Sequence, residues 1–382
     1  MKSIKYRLSI TIAVIIIIFI PVKKGFSWDM VDLILKTKGS EKIFIPAENN
    51  NPNSNFSFLP PIENKDFFES VNDLSICRNA NVRKYIYLYL TDGRNYLDTA
   101  ILRSQRYLPI IEDIFNKNKD MPKDISLLPL LESAFNPYAV SRSRAVGLWQ
   151  FVKRTSKDLS LKVNAWVDER RDIEKSTAAA IIHLRNLYGI FQSWELALAA
   201  YNGGAGYVKF AMHKSHSKNI SELLAYKSLN REVKEYIYRF AALLVIYKNQ
   251  SLFDVENTGT ALETAYVELQ YPVKISQVAE LTGVPLSTLR MFNPELNKDL
   301  TPPYETIYVL RLPKDSIERY EQIKTQLFEI NYKAIKRHIV RKGECIGKIA
   351  KFYNSEIKKI MFINGLKDAN SIKPGLELYI PI

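Results

Sequence analysis

Cysteine and histidine are scarce in this chain. Its 382 residues hold two cysteines, Cys77 and Cys345, and four histidines, His183, His213, His216 and His338. None of the six falls at ligand spacing, so a metal site has no donor set, and neither a metal nor a cofactor is expected. One long-range disulfide between the cysteines is open, two buried thiols being the preferred reading. The histidines read as surface or core-edge residues. Long apolar runs are also lacking. The N-terminal stretch LSITIAVIIIIFIPV has 15 residues, against roughly 20 for a membrane-spanning helix. With MKSIKYR before it and the small Gly25 and Ser27 after it, residues 1–27 read as an export signal to the periplasm or cell envelope; an uncleaved inner-membrane anchor is the alternative. No cysteine follows the run, so lipid attachment there has no acceptor. Blocks of Arg or Lys are missing too. The excess of 54 basic over 40 acidic residues, net +14, is spread in singles and pairs. That pattern gives no nucleic-acid tail, while the charge suits an anionic partner such as acidic cell-wall polymer or anionic lipid.

A chain of this length buries a substantial core and divides into domains. Residues 28–66, rich in Asn, Pro and Ser at IFIPAENNNPNSNFSFLPPIEN, read as a flexible linker. From 67 to 250 apolar residues recur at threes and fours, as in VRKYIYLYL and AIIHLRNLYGIF, which predicts one all-α domain. Within it Asp168, Glu169 and Asp172 alternate with Arg170 and Arg171, an expected ion-paired turn. Beyond it a shift of 71 positions pairs Ile275 with Ile346, Val278 with Ile349, Ala279 with Ala350, Leu289 with Ile360, Phe292 with Ile363 and Asn293 with Asn364. Such matching at helical spacing marks an internal repeat. Each copy, 266–313 and 335–382, reads as strand, helix, helix, strand, and DSIERYEQIKTQLFEI between them as a connecting helix. The fold class expected is therefore α+β multidomain, an all-α domain followed by two small βααβ modules.

Four stretches of the helical domain put polar or small residues where a core would be apolar: ESAFNPYAVS, GLWQF, LALAAYNGGAG and REVKEYIYRF. The first follows LLPLL, which leaves Glu132 flanked by Leu130, Leu131 and Phe135. Desolvation there disfavours the carboxylate, so Glu132 is expected to hold a proton near neutral pH. No second carboxylate in these stretches is a convincing partner. Glu195 and Glu232 come nearest, and a structural role suffices for each.

These stretches resemble the motifs of the soluble lytic transglycosylases, family 23 glycoside hydrolases with a lysozyme-like helical domain. LPLLESAFNPYAVSRSRAVGLWQF, VDERRDIEKST and LALAAYNGG are similar to the membrane-bound lytic murein transglycosylase D type, from about residue 80 to the C-terminus. The resemblance implies peptidoglycan glycan strands as partner and Glu132 as catalytic acid and base. It implies substrate-binding roles for Ser141, Gln150, Tyr201, Asn202 and Tyr236, and non-hydrolytic cleavage to a 1,6-anhydro sugar. Trp149 replaces a common Met, and Val233 follows Glu232 where Thr is usual. A hydrolase of the goose-lysozyme kind and a non-catalytic peptidoglycan-binding scaffold are the alternatives. The second copy resembles a LysM module, a family that binds N-acetylglucosamine chains. This implies glycan contacts from Gly343, Glu344, Cys345 and Ile346 in one loop and from Asn364, Gly365 and Leu366 in another. Cys345 stands where a small hydroxyl residue is usual. In the first copy Pro272 replaces the glycine, so that module is expected to be a degenerate scaffold.

Overall fold

The computed structural model describes residues 74–382 apart from 228, 256, 257, 304, 306 and 367. The expected signal (1–27) and linker (28–66) lie outside the described residues. The helical unit comprises α1 (Ala80–Leu90), α2 (Arg94–Asn116), α3 (Leu128–Ser133), α4 (Lys153–Asp158), α5 (Ile173–Phe191), α6 (Trp194–Gly203), α7 (Ala205–Ser215), α8 (Ile220–Ala225) and α9 (Arg231–Lys248). In α2 the buried residues Leu97, Ala100, Ile101, Leu108, Ile111 and Phe115 form one stripe at threes and fours, so the helix turns a single face inward. In α9 every residue from Phe240 to Ile246 is buried, because this helix runs through the centre, packed on α1, α3 and α6. Each fully buried Leu or Ile there contributes about 1.5–3 kcal/mol. Side-chain caps set the helix starts. Asp172 accepts from the N–H groups of Glu174 and Lys175 to begin α5, and Ser193 and Asn230 do the same for α6 and α9.

Close approach of α6 to α9 depends on glycine. A Cβ at Gly203 would lie 2.6 Å from Val233 Cγ2. Val233, which stands where Thr is usual in the family the chain resembles, is 1% exposed and is the residue that fills this contact.

Two βααβ modules follow. The first has β1 (Thr264–Leu269), α10 (Ile275–Thr282), α11 (Leu286–Phe292) and β2 (Tyr308–Pro313), with β1 and β2 antiparallel. Helix α12 (Ile317–Ala334) leads to β3 (Ile335–Ile339), α13 (Ile346–Phe352), α14 (Ile357–Ile363) and β4 (Glu377–Pro381), again an antiparallel pair. The repeat is exact at one polar position. Asn293 donates to Leu289 O and Arg311 O and accepts from Arg311 N–H; Asn364 does the same with Ile360 O, Tyr379 O and Tyr379 N–H, all at 2.7–2.9 Å. Each asparagine staples the second helix of its module to the closing strand.

The first module is clamped to the helical unit. Arg311 on β2 bonds Asp172, Glu174 and Glu295 at 2.7–3.0 Å, three carboxylates of which two are almost fully buried. Backbone bonds join Asp168 N–H to Glu295 O and Asn297 N–H to Trp166 O, and the Tyr138 hydroxyl donates to Arg290 O. Two expectations change here. Of the acidic and basic residues at 168–172 only Asp168 and Arg170 pair within the turn; Glu169 reaches Lys175 and Asp172 reaches Arg311, because the turn faces the module rather than solvent. Cys77 is buried but Cys345 is exposed, and no disulfide joins them.

Candidate active site

Glu132 is the penultimate residue of α3, a helix kept to six residues. Pro129 sits in its first turn, and Ala134 and Phe135 end it in the left-handed region (φ 50° and 52°), a conformation that ordinary residues hold only when the surroundings enforce it. The surroundings do so. Phe135 is fully buried, the Ser133 hydroxyl donates to Leu148 O at 3.0 Å, and the Tyr96 hydroxyl donates to Leu130 O at 2.6 Å. Leu130 and Leu131 face the core, while Glu132 turns part of its side chain to a cleft and lodges its carboxyl deep at the floor. The Tyr236 hydroxyl on α9 donates to Glu132 Oε1 at 2.5 Å. Burial pushes the carboxyl up to about 7 from the ordinary 4.5, and the Tyr236 hydrogen bond opposes that rise. Burial, followed by the neighbouring Glu132 charge, raises the Tyr236 and Tyr201 hydroxyls well above 10, so both remain neutral phenols.

The cleft over Glu132 has a volume of about 310 Å³ and is lined by Ser141, Ser143, Gln150, Phe151, Thr155, His183, Tyr201, Asn202 and Glu232. Two roomier grooves, about 570 and 600 Å³, flank β1, and neither contains Glu132. The smaller one is the candidate site because the perturbed carboxyl lines it, together with a group of polar side chains. One wall is the loop 139–151, folded by the bridges Val140 to Val146 and Val146 to Phe151. Arg170 fixes this loop from behind, with hydrogen bonds to Arg144 O and Phe151 O and a buried pair with Asp168. Gly147 (φ +87°) lets the loop pass: a Cβ there would lie 1.9 Å from Arg170 O.

Of the residues expected at the site, Ser141, Gln150, Tyr201 and Asn202 come together around Glu132, and Tyr236 stands behind it. Ser141 Oγ shares a hydrogen bond with Ser143 Oγ and accepts from Ala145 N–H. Gln150, itself at φ 50°, donates to Ala139 O and Gly147 O, and the Tyr201 hydroxyl donates to Trp149 O at 2.6 Å. Trp149 is fully buried, stacked on Phe115, with its N–H donated to Thr177. Glu195 is at the start of α6 beside Ser193, away from the cleft lining, whereas Glu232 lines the cleft from the first turn of α9. His183, half-buried at the edge of the core as expected, also lines it, a place in the cleft that was not expected. Its signal was in the sequence: Ala180, Leu184 and Leu187 are buried, and His183 is the polar residue among them on the same stripe of α5.

In the second module Gly343 (φ +86°) and Cys345 are exposed, and nothing crowds Gly343. Glu344 accepts from Arg341 N–H and bonds His338 Nε2, contacts that hold its carboxyl below the usual range. Gly365 is exposed at φ 62°. Three of the expected glycan contacts face inward instead. Ile346 is 4% exposed in the module core, Leu366 packs against that core, and the Asn364 amide is engaged by the strand.

Sequence comparison finds the Transglycosylase SLT domain over residues 110–224, the lytic transglycosylase MltD LysM-like domain over 263–327 and the LysM domain over 338–381. Membrane-bound lytic murein transglycosylase D of Escherichia coli K12 is 30% identical over 320 residues, 80% of this chain and 70% of that protein. Membrane-bound lytic murein transglycosylase C of Edwardsiella ictaluri is 31% identical over 170 residues, 38% of this chain and 46% of the relative. Among solved structures, the 70 kDa soluble lytic transglycosylase of Escherichia coli aligns with 18% identity and a TM-score of 0.33, over 52% of this chain and 34% of that one.

Proposed function

The chain belongs to the membrane-bound lytic murein transglycosylase D family and is a peptidoglycan lytic transglycosylase, and we propose that Glu132 performs its chemistry as acid and then base. The bond cleaved is the β-1,4 link between N-acetylmuramic acid and N-acetylglucosamine. Protonated Glu132 gives its proton to the bridging oxygen as the C1–O bond breaks, and the acetamido group of the muramic acid stabilises the cation at C1. The carboxylate left behind then takes the proton of the C6 hydroxyl, whose oxygen closes on C1 to give the 1,6-anhydro ring. An internal hydroxyl at high effective concentration competes with water. The carrying observation is the carboxyl itself, held to about 7 in a cleft under one hydrogen-bonded phenol.

Around this centre we assign the catalytic domain to residues 67–250 and the modules to 266–313 and 335–382. Glycan recognition by the second module rests on its exposed Gly343, Cys345 and Gly365 and the partly exposed Glu344, with Ile346, Asn364 and Leu366 supplying backbone. The relatives' names speak for the cell envelope, and export by the N-terminal segment fits it. Among the described residues no helix is long and apolar enough to cross a membrane.

Digestion of purified sacculi, with products identified by mass, tests the reading. The wild type releases 1,6-anhydro muropeptides and Glu132→Gln releases none. Reducing-end products from the wild type would instead mark a hydrolase, with Glu232 as the carboxylate to replace next.

A further inference from the structure

The polar lining of the cleft divides into groups the protein has already engaged and groups it has not. Ser141 is bonded to Ser143 and Ala145, Gln150 to two carbonyls of its own loop, and Tyr201 to Trp149 O. These bonds shape the wall and leave little donor capacity for a ligand. His183 differs. It is half-buried, lines the cleft, and among the described residues no protein group hydrogen-bonds either ring nitrogen. The ring is nonetheless fixed. It lies 5.3 Å from the Tyr201 ring and 6.3 Å from that of Phe151, and its backbone belongs to α5, with Ala180, Leu184 and Leu187 packed in the core.

A polar ring placed in partial burial without a protein partner is costly unless something from the cleft satisfies it. We infer that His183 is a substrate-binding residue of this cleft, its imidazole hydrogen-bonding a hydroxyl or acetamido group of the amino sugar seated beside Glu132. The inference rests on the reading that the cleft holds the glycan strand. The chemistry of the ligand follows from the state of the ring. Burial lowers the imidazole below its usual range, so at neutral pH it is uncharged, with one nitrogen donating and one accepting. Such a group pairs with neutral sugar hydroxyls and amides, which also donate and accept. It offers no charge to the carboxylates of the peptide stems, so His183 selects for the glycan and is indifferent to the stem.

The test is glycan binding in a Glu132→Gln background, where the strand stays intact, with peptide-free N-acetylmuramic acid–N-acetylglucosamine oligomers as probe and calorimetry as readout. His183→Phe keeps a ring between Tyr201 and Phe151 and removes both nitrogens. We expect affinity to fall roughly five- to tenfold, the measure of one lost hydrogen bond, with the melting temperature unchanged. His183→Gln, which restores a donor and an acceptor, should recover binding to within about threefold of the background. Unchanged affinity in His183→Phe overturns the inference and would make the ring a packing element only; equal weakening in both variants overturns it as well, because a restored donor and acceptor should recover binding. Should the Glu132→Gln protein itself bind no oligomer, the reading of the cleft fails first, a result distinct from either.

Discussion

Replacing Glu132 by Gln should stabilise the protein, and only above mildly acidic pH. The carboxyl is raised from 4.5 to about 7 by burial, so the folded chain holds a proton that the unfolded chain releases. For a group shifted in this direction stability is greatest below pH 4.5. It declines as pH rises through the window from about 4.5 to about 7, and is level beyond it. Each pH unit of separation is worth about 1.36 kcal/mol, which makes the penalty at pH 8 about 3 kcal/mol. Gln has the shape of the protonated acid, can accept the Tyr236 hydrogen bond, and carries no charge at any of these pH values. Paired urea melts of wild type and Glu132→Gln at pH 4 and pH 8 measure the difference directly. The two proteins should agree at pH 4 within about 1 kcal/mol, and the variant should be more stable by about 3 kcal/mol at pH 8, or roughly 6–12 °C in Tm for a domain of this size. A difference that does not change between the two pH values would refute the assignment of the raised carboxyl to Glu132.

Two other outcomes follow from the same geometry. Tyr236→Phe removes the one hydrogen bond that favours the Glu132 carboxylate, a bond to a charged group worth about 1.5–3 kcal/mol. The descending limb of kcat/KM against pH should therefore move up by about 1–2 pH units from its wild-type position near 7, and a limb that stays in place counts against the pairing. Arg311→Met leaves Asp172 and Glu295 buried without their cation, which should cost about 3–5 kcal/mol in chemical denaturation; a loss under about 1 kcal/mol would mean that the first module is not clamped by charge.

What could be read in the sequence was local or repeated. Glu132 announced itself because its neighbours Leu130, Leu131 and Phe135 lie within three residues, and all three are buried as that run implied. The modules were legible because a helical stripe recurred at one shift. Asn364 shows how far such a signal extends and where it was misread. Its counterpart Asn293 belongs to the copy whose loop carries Pro272, so an asparagine kept in both copies already pointed to scaffold. The structure shows it stapling helix to strand in each. The remaining features lie across the chain. Arg311 meets carboxylates about 140 residues away, the Tyr236 hydroxyl reaches Glu132 across 104 positions, and His183 joins the cleft only once α5 lies beside Tyr201. No periodicity along the chain encodes such encounters.

A single carboxyl that must act first as acid and then as base cannot be fixed firmly in either state. Burial alone would drive the Glu132 proton on too tightly to be given up to a sugar oxygen, and a fully hydrated carboxyl would have lost it before the strand arrived. The structure sets two opposing effects on the same group, desolvation by the surrounding core and one donor from Tyr236, which leaves it near 7. Tyr236 is suited to this because its hydroxyl, raised well above 10, cannot release its own proton in place of donating a hydrogen bond. When Glu132 gives up its proton the bond from Tyr236 becomes charge-assisted and strengthens. The carboxylate is therefore stabilised in the interval between breaking the glycosidic bond and deprotonating the C6 hydroxyl. Tyr236→Phe should on this account slow the first proton transfer more than the second, because losing the bond makes Glu132 a weaker acid and its carboxylate a stronger base.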